Sequence, residues 1–147
     1  MPISGCQIIN EKMRKKKVTL IIEASSTGFG IYGEDFPVTA YGDTVAAAKK
    51  DMESVIADVL DHYKKEGQKS DPALNGGNLE FVFKYDIASI FDHFGMLDAT
   101  GLAKKIGMNP SLLRQYKTGH TLASEKQKKK IEKGLHELGK ELLSVRL

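Results

Sequence analysis

Ser111, Arg114, Gln115 and Thr118 recur at intervals of three and four residues, the spacing that lines up one face of a helix. Each carries a group that can meet a base edge in duplex DNA: Arg suits guanine, Gln suits adenine, and Ser or Thr suits either. Lys117 ends the same segment, and Lys104 or Lys105 lies on the one before it. Lysines there can hold phosphates and fix register without reading sequence. His120, just past the segment, is a further candidate for the phosphate backbone. The chemistry these residues predict is recognition of a polyanion. A solvated helical subdomain can carry the same residue types.

Charge bears on that choice. Residues 87–147 hold 11 Lys/Arg and 6 Asp/Glu, a net of +5, whereas residues 1–86 hold 11 Lys/Arg and 13 Asp/Glu, a net of −2. A basic part joined to a mildly acidic part favours a polyanionic partner for the basic one. The lysines at 126, 128, 129, 130 and 133 read mainly as the solvated face of a last helix, with a salt-sensitive attraction to DNA.

Catalytic constellations are weak. Two-metal phosphoryl chemistry needs carboxylates converging on paired ions. Glu23, Asp35 and Asp43 fall on a strand end and two loops, and Asp43 is a natural helix cap. His62, His93, His120 and His136 are scattered, with no cysteine beside them. Cys6 is the single cysteine, which rules out an internal disulfide and any zinc site needing two cysteines. Gly28-x-Gly30 lacks the third glycine and the helix of a nucleotide fingerprint. The expectation is a chain that is not an enzyme and holds neither metal nor cofactor.

The 147 residues are 41% hydrophobic and 28% charged, the balance of a globular protein with room for one domain or two small ones. No apolar run reaches the length of a membrane span. Met1–Asn10 has neither the charged start nor the apolar stretch of a secretory signal. The expected setting is the cytoplasm, with no membrane partner. Met13 is an alternative start, which would leave residues 1–12 outside the protein. Met13-Arg14-Lys15-Lys16-Lys17 could touch phosphate, but reads rather as a solvated basic arm that keeps an edge strand from pairing with other chains.

The elements that must position these residues follow from periodicity. Val18–Ala24 and Phe29–Gly33 flank a Ser25-Ser26-Thr27-Gly28 turn and predict a hairpin. Val38–Tyr41 predicts a short third strand after Pro37. Asp43 or Thr44 caps a helix whose apolar stripe runs Val45, Ala48, Met52, Val55, Ile56, Val59, Leu60, Tyr63, and Gly67 ends it. Gln68–Asn78 reads as a polar loop, and Leu79, Phe81, Phe83 and Tyr85 give the next strand one aromatic face. Beyond Asp86 the pattern turns helical. Ile87, Ile90, Phe91 and Phe94 fit one short helix, Leu97–Ile106 a second and Pro110–Lys117 a third, capped by Asn109. Ser124–Val145 fits a fourth, with the stripe Ile131, Leu135, Leu138, Leu142. Two short helices around Gly107, with Leu113 and Tyr116 facing inward, describe a helix-turn-helix. The expected fold class is α+β: a β-β-β-α-β domain over 13–86 and a helical domain over 87–147.

Leu102-Ala103, Ile106-Gly107, Ser111, Leu113, Tyr116 and Gly119 together resemble the Xre/Cro-type helix-turn-helix family. Pro110 departs from the polar residue often found early on that family's recognition helix. In the first half, a hairpin, then Asp35-Phe36-Pro37, then Gly42-Asp43-Thr44-Val45 opening an alanine-rich helix, resembles the HicB antitoxin family. That resemblance implies a partial RNase H-like fold and an antitoxin of a type II toxin–antitoxin system. It implies binding to a small HicA-type ribonuclease toxin and repression of the chain's own operon. The family's L-P-G-C-type segment, near its toxin-facing region, here reads Phe36-Pro37-Val38-Thr39. The expected partners are that toxin, a palindromic operator and a second copy of the chain. A small sheet with exposed edges and a helix-turn-helix that reads only a few base pairs alone both favour a dimer, which would set two recognition helices about 34 Å apart. Two other readings stay open: a stand-alone transcription regulator whose first domain dimerises or senses a ligand, and a protein-interaction module with no DNA role.

Overall fold

The computed structural model of the chain describes residues 14–147. The expectations placed on Cys6, on residues 1–12 and on a start at Met13 lie outside the described residues. Strands and helices are mixed, and the chain divides between Asp86 and Ile87 into two compact units.

The first unit is a four-stranded sheet under one long helix. Its strands are β1 (Lys16–Ala24), β2 (Phe29–Gly33), β3 (Thr39–Gly42) and β4 (Leu79–Tyr85), in the order β3-β2-β1-β4. β1 runs antiparallel to β2, with Ile22 opposite Ile31, and parallel to β4, with Leu20 opposite Phe83. The parallel pair needs a crossover, which α1 (Val45–Lys65) supplies. Val18, Leu20 and Ile22 alternate inward along β1 and are buried. They meet Val45, Ala48, Met52 and Ile56 of α1, with Phe81, Phe83 and Tyr85 packed at the margin. Burying one such aliphatic side chain contributes about 1.5–3 kcal/mol, so this stripe outweighs any single cap.

Thr44, not Asp43, caps α1: its hydroxyl accepts from the Ala47 amide at 3.1 Å. Lys64 and Lys65 sit in the last turn against the negative end of the dipole. The helix closes at Glu66, and Gly67 takes the left-handed conformation at φ 63°.

Three local readings need amendment. β1 begins at Lys16, so Lys16 and Lys17 are strand residues opposite Leu79 and Glu80 rather than part of a free arm. β3 begins at Thr39, because the Val38 amide turns back to the Phe36 carbonyl at 2.8 Å. The polar loop contains a 3-10 segment, Pro72–Gly77, whose Leu74 is buried in the core.

The second unit holds α2 (Ile87–His93), α3 (Ala99–Ile106), α4 (Pro110–Thr118) and α5 (Glu125–Leu143). Its core is Phe91, Ala99, Leu102, Ala103, Met108, Leu113, Tyr116 and Ile131. α3 starts two residues later than periodicity suggested, because Asp98 caps it by accepting from the amides of Thr100 and Gly101. On α5 the apolar stripe does not stay covered to its end: Leu142 is 62% exposed.

Candidate nucleic-acid interface

α4, which carries most of the candidate residues, is positioned by its two ends. α3 stops at Gly107, which adopts φ 69°, a conformation that costs glycine little. The Met108 amide closes the turn on the Ala103 carbonyl at 2.8 Å, and Met108 itself is buried. Asn109 then caps α4, its Oδ1 accepting from the amides of Ser111 at 2.8 Å and Leu112 at 3.4 Å. Pro110 occupies the first position, where an amide hydrogen has no helical partner. α4 ends as α3 does, with Gly119 at φ 77° and the His120 amide on the Gln115 carbonyl at 3.1 Å.

Between those ends, Leu113 and Tyr116 are buried, with Leu112 half-buried beside them. The opposite side carries Ser111, Arg114, Gln115 and Thr118, all exposed. The structure thus brings these four sequence candidates to one face. It also shows what holds them. Arg114 Nη1 donates to Thr100 Oγ1 on α3 at 2.9 Å. Gln115 Oε1 accepts from Thr121 Oγ1 at 3.2 Å. Thr118 Oγ1 lies 3.2 Å from the carbonyl oxygens of both Arg114 and Gln115 and 2.8 Å from His120 Nδ1. Its single proton is therefore engaged within the protein, which weakens Thr118 as a donor to a base.

The lysines distribute differently. Lys117 stands apart from the four: its Nζ lies 5.7 Å from the centre of the Phe91 ring, on the α2 side. Lys104 is exposed in the last turn of α3. Lys105 is paired with Glu141 at 2.7 Å, and Lys128 with Glu125 at 3.1 Å. Lys130 donates to the Gly107 carbonyl at 3.0 Å and so braces the turn before α4. Such exposed pairs contribute little to stability but neutralise part of the basic surface.

Thr100, Thr121 and Lys130 were not singled out for these positioning roles by sequence. Only the packing of α4 and α5 against α3, and the course of the loop after Gly119, bring them into reach. Glu23, Asp35 and Asp43 are exposed on separate elements. Among the described residues no group of three or more His, Cys, Asp or Glu side chains could hold a metal ion. No helix among them is long and apolar enough to cross a membrane. No family model, curated protein or solved structure matches the chain.

Proposed function

We propose that the chain is a DNA-binding autorepressor of the HicB antitoxin type, reading its operator with α4 and holding a small ribonuclease toxin with its first unit. One observation carries the DNA-binding part: Ser111, Arg114 and Gln115 stand together on the exposed side of a helix fixed at both ends by Asn109 and Gly119. The order β3-β2-β1-β4, with β4 parallel to β1 through a crossover helix, supports a partial RNase H-like first domain. Two copies on a palindrome would double the few base pairs one helix can read. The toxin's chemistry belongs to the other chain, so this role needs no catalytic residue in the present one.

One observation favours a second reading. Phe36 and Val38, in the segment that lies near the toxin in the resembled family, are 7% and 4% exposed and belong to the core. Side chains so placed offer a toxin little surface. A stand-alone regulator, whose first unit dimerises or senses a ligand, accommodates that burial.

Co-expression with the product of a small adjacent reading frame separates the two. A stable complex that suppresses RNA cleavage by the partner is the result expected of the antitoxin. Specific DNA binding without any such complex would leave the stand-alone regulator.

A further inference from the structure

We infer that α4 selects guanine rather than adenine where Gln115 meets a base, because Thr121 holds its side-chain amide as a donor. This rests on the DNA-reading role proposed above and names its specificity.

A glutamine reads adenine by using both ends of its amide: nitrogen donates to N7 and oxygen accepts from the N6 amino group. Here Oε1 of Gln115 accepts from Thr121 Oγ1 at 3.2 Å. The amide is planar, so an oxygen turned toward the loop turns Nε2 away from it. The group left to face a ligand is an NH2 with two hydrogens to donate.

Arg114, the neighbour in sequence, shares that polarity. Arg114 is a donor by chemistry, and its bond to Thr100 at 2.9 Å uses one of five N–H groups and anchors the rest. The Thr118 hydroxyl, between the Arg114 and Gln115 carbonyls and His120 Nδ1, has no proton to spare. Arg114 and Gln115 thus both offer donors from adjacent positions. Guanine is the base whose major-groove edge shows two acceptors, O6 and N7, with no donor beside them. Adenine would leave its N6 amino group facing another donor. Thr121 is then a positioning residue: it acts only through Gln115.

The test is selection from random duplex DNA with the full chain, comparing wild type with Gln115→Ala, Thr121→Val and Thr121→Ser. The position whose preference disappears in Gln115→Ala is the one Gln115 meets. Guanine is expected there in the wild type and in Thr121→Ser, which keeps the hydroxyl. Thr121→Val frees Oε1 and is expected to move the preference toward adenine by roughly two- to tenfold, the worth of one hydrogen bond. Adenine at that position in the wild type overturns the inference and leaves the DNA-reading role standing. So does a guanine preference that Thr121→Val does not change. Failure of any sequence to be enriched overturns both.

Discussion

Gly134 of α5 lies against Ile106 of α3 so closely that a methyl group at 134 would overlap the Ile106 Cγ2. Ile106 is the last residue of α3, directly before the Gly107 turn. The contact sets how near α5 comes to the end of α3 and therefore supports the Gly107 turn and α4 indirectly.

Gly134→Ala is expected to destabilise the protein by about 1–3 kcal/mol, since overpacking outweighs the gain in helix propensity. Gly139 sits in the same helix with nothing within 4 Å of an added Cβ. Gly139→Ala should stabilise by about 0.5–1 kcal/mol. Urea unfolding of the two variants checks the contrast. Ile106→Ala makes room, so its combination with Gly134→Ala should show coupling of about 0.5–3 kcal/mol. Equal gains from both glycine substitutions would contradict the packing.

A similar contrast holds in the sheet. A Cβ at Gly42 would meet the Ala48 amide nitrogen and lie 2.7 Å from the Ala47 carbonyl carbon, backbone atoms that cannot rotate aside. At Gly30 the nearest atom is Glu23 Cγ at 3.7 Å, an ordinary contact. Gly42→Ala should cost about 3 kcal/mol or more, and Gly30→Ala should stay within about 0.5 kcal/mol. Thermal unfolding of both proteins decides it.

The cap of α4 offers a way to separate folding from binding. Asn109→Ala should cost about 1 kcal/mol, because two amides lose their acceptor. Asn109→Asp keeps the acceptor and suits the helix dipole, so stability should hold within about 0.5 kcal/mol. A carboxylate beside a phosphate backbone should nonetheless weaken DNA binding. Unfolding and duplex titration of the same preparations test both halves; unchanged affinity in Asn109→Asp would place the start of α4 away from DNA.

Arg114 and the lysines should fail differently. Arg114→Ala is expected to lower affinity for a preferred site by about 1–3 kcal/mol and to relax one position of its sequence. Lys104→Ala and Lys117→Ala should weaken binding to all sequences alike, and each should reduce the slope of log K against log salt by about 0.9. Equal losses on specific and random DNA for Arg114→Ala would remove its reading role.

What sequence reveals of this protein is what neighbouring residues determine together. The stripe from Val45 to Tyr63 and the alternation from Leu79 to Tyr85 are readable because their periods come from the helix and strand themselves. Asn109 and Ser124 are readable as caps because each serves amides two or three residues on, whereas the start of α1 offers Asp43 and Thr44 alike and only the structure picks Thr44. The parallel partnership of β1 and β4 is not: its register joins Lys16 to Leu79 across a whole crossover. Leu74 is hidden by polar neighbours, yet it is 1% exposed. Gly134 looks like a weak point in a helix until Ile106 is seen beside it. In the candidate interface, spacing alone brings Ser111, Arg114, Gln115 and Thr118 to one face. Their hydrogen-bonded anchors differ in origin. Thr100 comes from the preceding helix and Thr121 from the following loop, so tertiary folding decides which amide end or guanidinium edge is presented.

The most direct measurement is fluorescence anisotropy of the full chain on the duplex upstream of its own gene and on a shuffled duplex of equal composition, at near-physiological salt. A DNA reader should prefer its own site by about a thousandfold or more. Arg114→Ala combined with Gln115→Ala should erase most of that preference while leaving weak, salt-sensitive binding to both duplexes. Equal affinity of the unaltered chain for the two duplexes would contradict sequence reading by α4.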